Sequence, residues 1–550
     1  MSQMTDIPTE PATAVLDQAH LGDIRGAFGT ITKGDTAPRR SWKTRLVTLA
    51  AIVGPGLIVM TGDNDAGAFS TYSQAGQDYG YSLLWTLLLM LPVLYVNQEM
   101  VIRLGAVTGV GHARLILERF GKFWGAFSVI DLFLLNALTV VSEFIGINLG
   151  LQYLGVPKIA GVFVAAAVII GAASTGDFRK FERFAMCLIA FCFLLVPLFV
   201  LVHPPLGAVA NGFFVPQMPH VPSNGLAAVL LLVIGIIGTT LAPWQLFFQQ
   251  SYVVDKRITP RFIRYSRVDL AIGFIIVIGG AVALMAAAAA TFMHHPEFGN
   301  FTDDLGVAEG LQTYVGRLPA VLFALALIDA SIIGASAVSL STAYAIADVF
   351  KVNHSLHRKP GEAKAFYVVY GGLLFGAAAL VLTPGMPLGL ITNSVQGLAG
   401  VLLPSATVFL LLLCNDRAVL GPWVNGRFIN LLTGVVIAVL LLLSVILTAA
   451  VVYPAITGGE IIAILGGGSI VAAIVALVMF VMRRMSGAPK APPVDRSGQD
   501  EWRMPRLDTL PPGGFTPAAR VWMTALRLYL LLAGGLVIAR IIELALTGRS

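Results

Sequence analysis

The chain has 550 residues, 57% of them hydrophobic and only 12% charged, with a mean hydropathy of +0.81. A soluble domain carries about 25% charged residues, so a water-soluble globular protein is excluded; three scattered cysteines, Cys187, Cys192 and Cys414, exclude a disulfide framework or a zinc motif. The formal net charge of +6 lies mostly in short loops between apolar runs, which points to a lipid bilayer as partner and not to nucleic acid.

Residues 1–45 are polar, lack a basic-then-apolar leader, and read as a flexible cytoplasmic tail ending in "RRSWKTR" (39–45). Apolar runs then recur at about 46–76, 81–103, 123–152, 157–175, 184–202, 225–254, 267–293, 318–350, 365–384, 388–414, 428–453 and 460–482. A hydrocarbon core about 30 Å thick needs about 20 residues per helix, so these predict twelve spans. Their periodicity is helical and lacks the alternation of a membrane barrel. With the N-terminus inside, the five inner loops hold eighteen Lys or Arg, and the six outer loops hold two, Lys158 and Arg317. That asymmetry predicts a multi-pass protein of the cell membrane, expected in a bacterial inner membrane, with a cytoplasmic N-terminus. Residues 483–515 read as a Pro-rich cytoplasmic linker, and 516–550 as an apolar helix that is interfacial or a thirteenth span.

Two spans are interrupted. In "VMTGDNDAGAFST" (59–71), Asp63, Asn64, Asp65 and Gly67 break the first run. In "GIIGTTLAPWQLFFQQ" (235–250), Pro243 breaks the sixth. Backbone groups freed in hydrocarbon cost several kcal/mol unless they line a cavity or bind something. Breaks at matching positions of two halves indicate an inverted-repeat transporter with substrate at the midplane. Acids at that depth are functional by default.

These residues resemble the natural resistance-associated macrophage protein (NRAMP) family of divalent-metal transporters. The likeness runs from about 46 to 482 and includes "GPGLIVMTGDNDAGAFST", "QAGQDYGYSLLW", "QEMVIRLGAVTG", "FRKFE" and "GTTLAPWQL". The resemblance implies an all-α polytopic LeuT-type fold: two inverted five-helix repeats, about 46–202 and 225–414, with helices 1 and 6 broken and two further helices. It implies Asp65 as principal metal ligand, an amide oxygen from Gln396, and a carbonyl of Thr239 freed by Pro243. Glu143 matches the family's helix-3 acid. Gln245 is placed to orient a metal-bound water or to bond another helix, and Asp63 to line the ion's path or to cap the broken helix. The family's Asp-Pro-Gly-Asn reads Asp65-Ala66-Gly67-Ala68 here, and its Met-Pro-His reads Ala242-Pro243-Trp244.

These departures carry an expectation about substrate. Loss of the thioether and the Asn side chain leaves a roomier, oxygen-only site, suited to partly hydrated Mg²⁺ and also admitting Mn²⁺. The pattern is similar to the NRAMP-related magnesium transporters. None of the eight histidines falls in a predicted span, and Val140 stands where the family has a further acid. Uncoupled import driven by the membrane potential is therefore expected, about 4.6 kcal/mol for a divalent ion per 100 mV. The competing reading within the family is a proton-coupled Mn²⁺/Fe²⁺ symporter. An amino-acid transporter is disfavoured because two acids would repel a substrate carboxylate. No enzyme motif is present, no cofactor is expected, and a monomer is possible.

Overall fold

In a computed structural model the described residues are 14–219, 225–239, 242–384, 388–453, 455–485, 494–511, 513, 523–524, 526–536 and 539. A short hairpin, β1 (Ile24–Gly26) and β2 (Gly29–Ile31), precedes the helices. The first half then comprises α1 (Trp42–Ile52), α2 (Pro55–Thr61), α3 (Ala66–Tyr79), α4 (Thr86–Thr108), α5 (His112–Phe120), α6 (Lys122–Tyr153), α7 (Lys158–Ala173), α8 (Phe178–Phe191) and α9 (Leu195–Val202). After α10 (Leu206–Phe214), the second half comprises α11 (Leu226–Thr239), α12 (Pro243–Asp255), α13 (Ile263–Phe292), α14 (Asp304–Tyr314), α15 (Arg317–Phe350), α16 (Lys364–Leu382) and α17 (Leu388–Asn415). Then come α18 (Arg417–Leu420), α19 (Arg427–Val452) and α20 (Gly458–Met485).

Lipid cannot satisfy backbone N–H and C=O groups, so apolar runs close their bonds internally as helices. Among the described residues nine helices are long and apolar enough to cross a membrane. The predicted first span is not a single rod. It bends by 53° between α1 and α2, and stops again between α2 and α3. The protein is a multi-pass membrane protein with the LeuT-type arrangement of broken helices. The longest helices, α6 and α15, pack side by side at its centre.

The end carrying the basic loops departs from expectation. Residues 14–37 are not a free tail. Asp17 accepts hydrogen bonds from the Arg358 guanidinium and from the backbone N–H of His354 at 2.8 Å, and the hairpin lies on α1. Gly26 permits that approach, since a Cβ there would stand 2.1 Å from the Ala51 carbonyl oxygen. The described part of the linker is docked too: Met504 N–H donates to Val107 O at 3.2 Å, and Trp423 Nε1 donates to Gln499 O at 2.7 Å. Polar composition predicted mobility, but the polar groups meet specific partners on neighbouring loops. The helix Leu526–Leu536 packs against α19, where the hydroxyls of Tyr529 and Ser444 are 2.8 Å apart.

Asp269 caps a helix other than its own. Its carboxylate accepts the N–H groups of Gly54, Gly56 and Leu57 at 3.1, 2.7 and 3.3 Å, satisfying the start of α2. Beside it Lys256 Nζ donates to Glu182 at 2.7 Å and to Val53 O at 2.7 Å, with both charged side chains fully buried. Removing one partner of such a pair strands the other charge at a cost of about 3–5 kcal/mol. Lys256→Met should therefore lower the thermal unfolding temperature sharply, and adding Glu182→Gln should recover part of the loss. Equal, additive losses would show that the pair does not act as a unit.

Candidate functional site

Helix α2 ends at Thr61 and α3 restarts at Ala66, leaving 62–65 as a break inside the bundle. Asp65 is extended, with φ −69° and ψ −179°, and its Oδ1 accepts the Ala68 N–H at 2.9 Å, capping α3. A helix's first N–H groups have no intrahelical acceptor, and a short acid supplies one. Asp65 is buried, at 4% exposure. Ala68 thus contributes its backbone N–H, and Gly67, in the same buried turn, accepts the Thr71 hydroxyl at 2.8 Å.

Glu143 reaches the same turn from α6. Its Oε2 accepts the Ala66 N–H at 3.2 Å, so the two acids hold neighbouring N–H groups of one buried turn. Two carboxyl groups brought that close in a buried site resist ionising together. Two glycines allow the approach. A Cβ at Gly334 would stand 2.7 Å from the Glu143 carboxyl carbon, and one at Gly146 would stand 2.6 Å from Cβ of Ala66.

A second polar chain leaves the break in another direction. The Gln245 side-chain amide donates to Asp63 Oδ1, and Gln98 Nε2 donates to Gln245 Oε1 at 3.0 Å. Among the described residues Asp63 Oδ2 has no hydrogen-bond partner, and Asp63 is 1% exposed. Asn64 turns away, donating to Val277 O at 3.1 Å. Of the two options for Gln245, the geometry shows a helix-to-helix bond, linking the break to α4.

The second interruption abuts the first: a Cβ at Gly62 would stand 3.2 Å from the Trp244 ring. Ala242 is extended and Pro243 opens α12. Pro243 has no N–H, so the Thr239 carbonyl lacks the donor four residues on, while the Thr239 hydroxyl donates to Ile236 O at 3.0 Å. The Trp244 carbonyl accepts the Ser341 hydroxyl at 2.9 Å. Gln396 is in α17, but its side chain lies outside the described residues. Among the described residues no three His, Cys, Asp or Glu side chains gather to hold a metal. An ion at the break would draw on Asp65 together with carbonyls, amides and water.

The sequence reading passed over Gln98, Gly146 and Gly334. Gln98 was detectable as an amide in an apolar run; the two glycines had no distinguishing signal among 57. His112 is buried on α5 with Nδ1 2.8 Å from Gln250 Oε1; burial holds it down at about 4, although the Gln250 hydrogen bond acts the other way.

Gly334→Ala should push the Glu143 carboxyl off the Asp65 turn. At about 1–3 kcal/mol for overpacking, metal uptake should fall by roughly tenfold or more. Gly279→Ala, where a Cβ meets nothing within 4 Å, should leave uptake unchanged. Equal uptake by both variants would remove Glu143 from the site.

Comparison with known proteins bears on these residues. The family model described as Natural resistance-associated macrophage protein-like matches residues 56–450. The chain is 29% identical over 412 residues to a divalent metal cation transporter, MntH, of Ralstonia nicotianae, covering 71% of this chain and 89% of that protein. It is 30% identical to the protein of that name from Deinococcus radiodurans, covering 77% and 93%. A solved Eremococcus coleocola manganese transporter superposes with a TM-score of 0.61 at 20% identity, over 84% of this chain and 98% of the other. These relatives overturn two expectations, membership of a magnesium branch and uncoupled Mg²⁺ import. The physical reasons are local. Carboxylate, carbonyl and water oxygens suit manganese as well as magnesium, so a missing thioether does not select between them. Proton coupling also needs no histidine, because two buried acids on one turn can take up and release a proton.

Proposed function

Because the chain belongs to the Natural resistance-associated macrophage protein-like family, we propose that it carries Mn²⁺ together with protons through the paired helix breaks. It is a transporter and not an enzyme. The observation that carries the proton half of the reading is that Glu143 and Asp65 bond one buried turn, at Ala66 and Ala68, where the two acids would share a single proton. A cation bound at Asp65 needs the bare carboxylate, so the shared proton must leave Asp65 as the ion arrives. Glu143, on the same turn, receives it and passes it on, so the pair holds one proton fewer once the ion is bound.

The ion's remaining ligands are the free carbonyl of Thr239, the amide of Gln396 and retained water, with the small side chains of Ala68 and Ala242 leaving room. Asp63, tethered by Gln245, lines the path on the far side of the break. The domain reading that accompanies this is a twelve-helix core over 46–482, in a bacterial inner membrane, with the N-terminus cytoplasmic. One chain supplies every residue of the site.

Proteoliposomes loaded with a pH dye test it. Mn²⁺ entry should acidify the lumen; Asp65→Ala should abolish both signals, and Glu143→Gln should reduce acidification more than Mn²⁺ flux. Mn²⁺ entry without acidification in the parent protein would refute coupling, and full uptake by Asp65→Ala would refute the site. Since binding displaces one proton, Mn²⁺ affinity measured calorimetrically should rise as pH rises, by up to about tenfold per unit while the pair is protonated. A flat profile across pH 5 to 8 would count against the shared proton.

A further inference from the structure

Residues 14–37 lie mostly outside helices and wholly outside the 56–450 family match, yet they bind α1, α8 and the end of α12 at the basic-loop end. Arg257, just past α12, donates to Ala19 O at 3.0 and 2.7 Å and to Asp23 O at 3.1 Å. His20 Nε2 stands 3.5 Å from Asp255, the last residue of α12, and the His20 ring meets that of His354 edge-on at 5.0 Å. On the other side, Ala27 N–H donates to Glu182 of α8, Arg183 Nε donates to Ala27 O at 3.1 Å, and β1 and β2 press on α1. One short segment therefore joins the half-helices on either side of the breaks, α1 and α12, to the less interrupted frame of α8 and the 354–358 loop.

Between the break and this end, α12 carries Gln249, Gln250 and Asp255, all fully buried. An ion leaving this way needs α1 or α12 to separate from its neighbours, and the segment bonds to both. Its grip joins polar contacts to the buried side chains of Ala14, Ile24 and Ile31. Asp17 is ionised at working pH: burial opposes its charge, but Arg358 and the N–H groups of Ala19 and His354 bring it down to about 2. A cavity of about 610 Å³ also remains between residues 15–36, the end of α12 and residues 500–503. Contacts that are polar and loosely packed can part and reform without exposing a large apolar surface.

We propose that residues 14–37 form a latch, which must lift from α1 and α12 before an ion held at Asp65 can leave towards the basic-loop end. This rests on the transport reading above, but its test does not depend on the ion's identity.

The test uses the full chain with its three cysteines replaced by serine and Gln249→Cys as a reporter, buried while the latch is shut. A water-soluble maleimide is applied from the basic-loop side of oriented proteoliposomes. Asp17→Asn and, independently, Arg257→Gln should each speed labelling by about tenfold, in keeping with loss of charge-assisted hydrogen bonds. Mn²⁺ affinity should stay within about twofold, because neither residue touches the ion site. Unchanged labelling in both variants, with thermal unfolding showing both folded, would overturn the latch. If Asp17→Asn fails to fold, Arg257→Gln alone decides. If no variant, parent included, binds Mn²⁺ but labelling still accelerates, the transport reading fails and the latch stands.

Discussion

A helix that stops inside a bilayer leaves N–H and C=O groups that hydrocarbon cannot satisfy, and the protein meets that constraint with carboxylates. Asp269 accepts three N–H groups at the start of α2, and Asp65 accepts one at the start of α3. Without these caps the unwound stretches would have no reason to remain unwound. With them, the chain keeps a polar break at the centre of a bundle otherwise lined by buried apolar side chains.

The two caps are not equivalent. Asp269 uses both oxygens on N–H donors and sits near the Lys256–Glu182 pair, so its task is structural. Asp65 spends one oxygen on Ala68 and shares its turn with a second carboxyl group. A carboxylate held this way faces competing demands from helix, proton and metal. Competition of that kind is what couples one ligand to another: whatever stabilises the bare anion for the metal removes the reason for the proton to stay. The Asp63–Gln245–Gln98 chain ties the same break to α12 and α4, so a change at the ion site has a mechanical route to the neighbouring helices.

Substrate was inferred too sharply from what is missing. Ala68 and Ala242 do mark a site without sulfur or a carboxamide at those positions. Hard oxygen donors, however, are shared ground for Mg²⁺ and Mn²⁺, and size and hydration then depend on a cavity shape that composition does not state. The histidine positions and Val140 do not decide coupling either. Histidine titrates near neutral pH without help, whereas a carboxyl group needs burial and a neighbour to do so, and neighbours are a property of the fold.

The sequence by itself determined the class of the protein and the approximate places of its apolar helices, because bilayer thickness acts on local composition. It also located both breaks, since Asp63, Asp65, Gly67 and Pro243 disrupt a helix wherever they stand. Only the tertiary structure decided who meets whom. It set Glu143 against Asp65, through gaps that Gly146 and Gly334 leave between helices far apart in the chain. It gave Asp269 a helix more than two hundred residues away to cap, and turned a polar N-terminal stretch into a docked hairpin. Those outcomes depend on side-chain atoms brought within about 3 Å across long sequence separations, and hydrogen bonds of that range carry no imprint in local composition.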